Sequence, residues 1–320
     1  MITWKMRTVA LKFAISDLSL GAWRLPLCTH EVSLAEGLHP VASLQAPVDD
    51  LDAASAGYLL RGVPVATEQA RLSATSAYIC YVQRQYRHFY VDMRLTFDEY
   101  KAKFSSKTRS TISRKIKKFT EHCGGTMRWH TYSSPTEMAE FHRLARGVSA
   151  LTYQERLLDA GLPEGSSFVE EMVELAGQDR VRAWVLFDGE RPVSYLYCPV
   201  QDDVLIYAYL GYDPAYLKLS VGTVLQWLAF EQLFGERRFR YFDFTEGESD
   251  HKRLFATHDV LAVNVLFLRR SVKHWLLVRL HSGFSRCVES FGEFLDANDL
   301  RVRIRRLIRF GSRGASLPDR

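Results

Sequence analysis

The stretch "YFDFTEGESDHKRLF", residues 241–255, gathers carboxylates, a histidine and a lysine fit for acid–base work. Asp243 stands between two phenylalanines in what reads as a strand, where a charge without a partner is too costly to keep. Glu246 and Glu248 follow in a turn, and then His251 and Lys252 stand side by side. Two readings of Asp243 stay open: it pairs with Lys252 or Arg253 and holds the turn, or partial burial tunes it as a base. A second stretch, "YAYLGYDPAYLKLSVGTVLQWLAFEQL" (207–233), reads as an aromatic strand, an irregular loop and a long helix opened by Gly222 and Thr223. Free N–H groups and the dipole at such a helix start favour an anion. A glycine there lets a phosphate come close to the backbone.

These residues need a frame. Alternation along "RFRYFDF" puts Phe239, Tyr241 and Asp243 on one face and Phe242 and Phe244 on the other. Upstream, "VRAWVLFDGERPVSYLYCPVQDDVLIYAYLGYD" reads as three strands joined by tight turns at DGE and QDD. Before them come a strand, "GTMRWHTY", and two helices, one starting at Ser134-Pro135 and one over "SSFVEEMVELAGQD". The order strand, two helices, meander, helix, strand, strand predicts a mixed α/β (α+β) sheet. In the first hundred residues, "TVALKFAISDL" and "SAYICYVQRQYRHFYVDM" read as strands. The segment from "TFDEY" to Gly124-Gly125 is helical in period, with Lys107, Arg109, Arg114, Lys115, Lys117 and Lys118 on its polar side. That side is either a solvated face or a patch for phosphates. Residues 271–320 read as amphipathic helix, and the last twenty hold seven arginines and one aspartate. Such a tail either lies on an anionic membrane or docks on the domain. The expected units are 1–125, 126–270 and 271–320.

Bulk composition narrows the class. With 320 residues, 47% hydrophobic and 25% charged, the chain can bury a sizeable core. A net charge of +5 permits an anionic ligand without demanding nucleic acid. Five scattered cysteines with no CxxC pair argue for a reducing compartment and against a disulfide framework or zinc site. There is no HExxH, Walker or GxGxxG motif, so no metal is expected. The N-terminus lacks a signal-peptide pattern and no apolar run approaches the length of a membrane span. The expected location is cytoplasmic, with a peripheral membrane contact through 301–320 left open.

At "GYDPAYLKLSVGTVL", "YFDFTEGESDHKRLF" and "FSSKTRSTISRKIKKF" the chain resembles the GNAT superfamily of acyl-CoA-dependent acyltransferases. Within it the chain is similar to the CelD-like branch of cellulose and exopolysaccharide clusters, related to Fem-type aminoacyl transferases. The resemblance covers residues 100–270 well. It implies a complete GNAT unit preceded by a degenerate copy, and acetyl-CoA or another acyl-CoA as co-substrate. The acceptor it implies is an amine, an amino sugar among the candidates. By the same resemblance Lys218, Ser220, Val221, Gly222 and Thr223 hold the pyrophosphate, although the family's loop commonly has two glycines where Ser220, Val221 and Gly222 supply one. Asp243, Glu246 or His251 would take the amine proton, Tyr212 is among the phenols that would protonate the leaving thiolate, and Tyr241 and Lys252 would meet the acceptor. The branch often has tyrosine where His251 stands. Two other readings remain: a Fem-type transferase using aminoacyl-tRNA, and a non-catalytic scaffold at a membrane-bound polysaccharide synthase.

Overall fold

The computed structural model describes residues 4–15, 18–47, 51, 54–152 and 161–297. The arginine-rich tail, 301–320, lies outside the described residues.

The chain opens with β1 (Lys5–Ile15) and β2 (Leu18–Glu31), an antiparallel hairpin. Then come β3 (Gly57–Pro64), short β4 (Leu72–Ala74) and β5 (Tyr78–Asp92). Two helices follow. Thr96 caps α1 (Phe97–Ala102) in a capping box with Glu99, and Ser105 caps α2 (Ser106–His122) by accepting the Thr108 N–H. The second half runs β6 (Arg128–Tyr132), α3 (Met138–Ser149), α4 (Ser166–Gly177), β7 (Val181–Asp188) and β8 (Arg191–Gln201). It continues with β9 (Val204–Ile206), β10 (Tyr209–Tyr212), α5 (Val221–Glu236), β11 (Tyr241–Asp243), α6 (Asp250–Phe255), β12 (His258–Arg269) and α7 (Val272–Ala297).

One mixed sheet carries everything, in the order β1-β2-β3-β12-β5-β11-β9-β8-β7-β6, with β10 added on β8 and β4 on β5. The expected mixed α/β architecture is present. The two halves of the chain share this sheet: β12 pairs with β3 and β5, and β11 pairs antiparallel with β5 and parallel with β9. Layers cover both faces, which explains why β7 and β8 read as unbroken apolar runs. Trp184, Leu186, Leu196 and Cys198 point into the core shared with α2 and α5, and Ala183, Val185, Tyr195 and Tyr197 into the core under α3 and α4. Helix α5 is apolar on all sides because it is buried nearly throughout.

Two local readings change. The strand read as "RFRYFDF" begins only at Tyr241, so Phe239 leaves the alternation and packs in the α5 core with Phe242 and Phe244. The last meander strand is interrupted. Both the Ala208 N–H and Tyr209 stand opposite Tyr197, so a β-bulge separates β9 from β10.

Candidate active site

The bulge opens the sheet. Strands β9 and β11 pair through Ile206 and Asp243, and the Tyr207 N–H closes their ladder on the Asp243 carbonyl at 2.8 Å. Beyond that point β10 pairs with β8 alone while β11 stays with β5, so a fork opens between β10 and β11. The Asp213 N–H bonds the Val193 carbonyl across β8. Alternation from there turns the N–H groups of Leu210 and Tyr212 toward the open edge. Backbone donors therefore line one side of the fork.

At the outer end of this edge stands the start of α5. Asp213 anchors the approach: one carboxylate oxygen accepts the Ala215 N–H at 2.9 Å and the other meets Arg191 at 2.5 Å. A 3-10 turn, Pro214–Leu219, leads to Ser220, whose φ of 56° and ψ of 38° are left-handed. Ser220 thus holds the conformation in which glycine is the default residue. The amides of Val221, Gly222 and Thr223 meet no acceptor among the described residues, as a helix start leaves them. A Cβ on Gly222 would lie 3.3 Å from Tyr212 Cδ1 and 3.5 Å from Leu210 Cδ2, so the glycine lets α5 sit close on β10. The Lys218 side chain is exposed, and its carbonyl accepts the Lys118 ammonium of α2 at 3.1 Å. The basic helix therefore borders the loop expected to bind phosphate.

Asp243 lies at the point where the strands part, 6% exposed, on the sheet face away from α5. Its partner is neither Lys252 nor Arg253. His88 of β5, 7% exposed, places Nε2 at 2.5 Å from Asp243 Oδ1, which also accepts the Thr245 N–H at 2.6 Å. Around this pair stands a polar cluster. Glu246 accepts from Arg84 at 2.7 Å and from Asn264 at 2.9 Å. The Lys252 ammonium donates to the carbonyls of Glu246 (2.8 Å) and Thr245 (3.4 Å), clamping the turn that Gly247 completes at φ 97°. Burial pushes the Lys252 amine down, against the pull of Asp243. Burial first, and then the carboxylates of Glu246 and Asp243, hold the Tyr86 phenol far above its ordinary value.

The other expected residues are spread more widely. His251 faces the α5 side, its ring beside Phe255 (4.9 Å), Tyr207 (6.3 Å) and Phe244 (6.4 Å). Burial, then the Lys115 and Lys252 charges, lower its pKa to about 4, and its buried Nε2 has no partner among the described residues. Tyr212 stands at the α5 end of β10, while Tyr207 is the tyrosine at the fork, its phenol raised by burial. Tyr241 packs edge-on against Tyr90 at 5.3 Å, with Arg94 and Arg240 over its ring. Sequence reasoning missed His88, Arg84 and Asn264. The only sign of His88 is a histidine within an alternating run of tyrosines, Tyr86-x-His88-x-Tyr90, and nothing local ties it to a residue 155 positions away. Cavities of about 370 Å³ beside Asp203 and Arg240, and about 320 Å³ beside Arg128 and Glu190, include no residue of the fork.

Residues 106–253 match the family model described as an acetyltransferase (GNAT) domain. The match takes in α2, the fork, the α5 loop and the turn through Lys252, and the fold is GNAT-like. Among solved structures, FemX is similar over 86% of this chain and 90% of its own at 10% identity, with a TM-score of 0.48. The structure of L-PGS from Bacillus licheniformis aligns over 69% and 71% at 14% identity and a TM-score of 0.41. A conserved protein of unknown function from Bacteroides thetaiotaomicron aligns over 66% and 70% at 11% identity and 0.43. These likenesses are too distant to bear on function. Comparison with curated proteins finds no match. Among the described residues, no helix is long and apolar enough to cross a membrane.

Proposed function

We propose that the protein is an acyl-CoA-dependent N-acyltransferase that acylates an amine. The reading rests on one observation above all. The fork between β10 and β11 joins unpaired strand amides to the unpaired amides of the α5 start, with Lys118 of α2 beside them. A chain of donors leading to a helix N-terminus suits a phosphate-bearing ligand with an amide-rich arm. The co-substrate supplies an acyl group activated as a thioester. Ser220 to Thr223 would take its pyrophosphate, with Lys118 adding charge, and the Leu210 and Tyr212 amides would face its arm.

The proton chemistry falls to the chain's own residues. An ionised Asp243 can only accept, which places the shared proton on His88 Nε2 and leaves Nδ1 as the basic atom. In this reading the His88–Asp243 pair takes the proton from the amine as its nitrogen bonds the acyl carbon. The Tyr207 phenol, kept protonated by burial, gives a proton to the sulfur as the carbon–sulfur bond breaks. An amino sugar is the acceptor we favour, because Glu246, Tyr86 and Tyr90 offer a carboxylate and rings on the Asp243 face.

The test is calorimetric titration with acetyl-CoA and longer acyl-CoAs, followed by assay of thiol release with amine acceptors. Micromolar binding and amine-dependent release of free thiol are expected. If no CoA ester binds, the reading fails, and aminoacyl-tRNA becomes the donor to try.

A further inference from the structure

Helix α5 carries a fully buried glutamine that the fold leaves without a partner. Gln226 is 0% exposed, and neither Oε1 nor Nε2 meets a donor or acceptor among the described residues. The other glutamine of this helix behaves otherwise: Gln232 accepts from Thr131 at 2.7 Å and from Trp184 Nε1 at 3.0 Å, and donates to Glu236. Leaving both amide atoms unmet costs stability, so Gln226 calls for an explanation beyond packing.

Its position supplies one. Gly222, Gln226 and Phe230 follow one another at intervals of four residues, one stripe of the helix. At the top of the stripe Gly222 lies against Tyr212 and Leu210 of β10. At the bottom the Phe230 ring lies 4.9 Å from Phe242 of β11 and 6.4 Å from Phe244 just beyond it. Gln226 comes between, under the opening where β10 and β11 part. A second unmet polar atom flanks the same opening. His251 Nε2 is buried without a partner among the described residues, in a ring cluster with Tyr207, Phe244 and Phe255, and the Phe255 ring in turn lies 5.8 Å from that of Phe230.

We infer that Gln226 is a positioning residue for the acyl donor, pairing through its side-chain amide with a secondary amide of the donor's arm inside the fork. The inference rests on the acyl-CoA reading above. A primary amide offers both a donor and an acceptor, as does a secondary amide, so the two satisfy each other in a two-point contact. Entry of the arm displaces the half-buried Leu210 and Tyr212 side chains. The neutral imidazole of His251 then lines the thioester end. Donor selection follows: a ligand with the nucleotide but no amide arm gains nothing from Gln226.

The experiment compares wild-type protein with Gln226→Leu and, as a second variant of similar volume, Gln226→Met. Each is titrated with acetyl-CoA and with adenosine 3′,5′-bisphosphate, which lacks the arm, and the melting temperature of the free protein is recorded. Either variant should melt at or above the wild-type temperature, because an unmet polar group leaves the core. Each should bind acetyl-CoA roughly tenfold more weakly, the size of a lost hydrogen-bonded pair, with affinity for the bisphosphate unchanged. Equal acetyl-CoA affinity in wild type and variants overturns the inference, as does a parallel loss for both ligands. A wild-type protein that binds no CoA ester fails at the earlier step and takes the acyltransferase reading down with it.

Discussion

His88 and Asp243 form a buried hydrogen-bonded pair that joins β5 to β11, and removing either partner strands the other. Replacing His88 with Phe should cost about 3–5 kcal/mol in denaturant unfolding, because an uncompensated carboxylate remains inside. Asp243→Asn keeps the shape and loses the charge that orients the imidazole. It should lower kcat by about 10²–10⁴-fold with little change in KM for the donor, and a variant retaining most of its turnover would remove this pair from the chemistry. His251 gives a prediction in pH. Its imidazole ionises near 4 in the folded chain, against an ordinary 6.5, because burial and then Lys115 and Lys252 disfavour the charge. Between those values the unfolded chain binds more protons, so this contribution is complete above pH 6.5 and is lost as pH falls toward 4. His251→Phe keeps a ring against Phe255 and should flatten that part of the stability–pH curve; an unchanged curve would mean His251 does not titrate there. Asp243 was legible in the sequence because a carboxylate between two phenylalanines breaks a strand's pattern. His88 was not, since its importance comes from a strand register that joins residues far apart in the chain.

At the scale of the element, the decisive feature is the junction from β10 to α5. The sequence shows one glycine, Gly222, where the resemblance leads one to expect two, yet Ser220 holds the left-handed conformation. Asp213 supports this backbone shape by capping the preceding turn and tying it to Arg191. Left-handed backbone costs a residue with a Cβ about 1–2 kcal/mol, while glycine costs up to about 1 kcal/mol in unfolded-chain entropy. Ser220→Gly should therefore change unfolding stability by no more than about 1 kcal/mol and leave donor binding intact. Ser220→Val should lose about 1–3 kcal/mol and weaken donor binding with it, since a β-branched residue resists this φ. Thermal melts and acetyl-CoA titrations of the two variants would separate these outcomes, and a Val variant as stable as wild type would remove strain from the account of the loop. The bulge at Ala208 and Tyr209 was hidden in the sequence: "LIYAYLGY" reads as one strand, and only the extra residue opposite Tyr197 shows where the ladder breaks.

For the whole molecule, the local patterns gave the meander, the helices and the mixed sheet, because burial on two faces leaves a strong apolar signature. What they did not give is the way β12 crosses back between β3 and β5, which depends on pairing across the length of the chain. The same holds for α7. An amphipathic basic segment fits a membrane surface or a docking site equally well on its pattern, and the described part of this helix is docked. Leu277 and Val278 are buried with Leu11, Leu27, Tyr81 and Leu266, and His281 meets the Tyr81 hydroxyl at 2.8 Å. Its opposite side exposes Val272, Leu276 and Leu280 beside Lys273 and Arg279. Two deletions should therefore behave differently. Ending the chain at 271 uncovers two buried aliphatic side chains, each worth about 1.5–3 kcal/mol, and should cut unfolding stability accordingly. Removing only 301–320 deletes seven arginines and should leave that stability unchanged. It should, however, reduce sedimentation with phosphatidylglycerol vesicles, because each basic residue near an anionic surface contributes about 1 kcal/mol. High salt should abolish the difference between the full chain and this shorter one. Equal sedimentation at low salt would refute a membrane role for the tail, and the exposed side of α7 would then stand without a lipid partner.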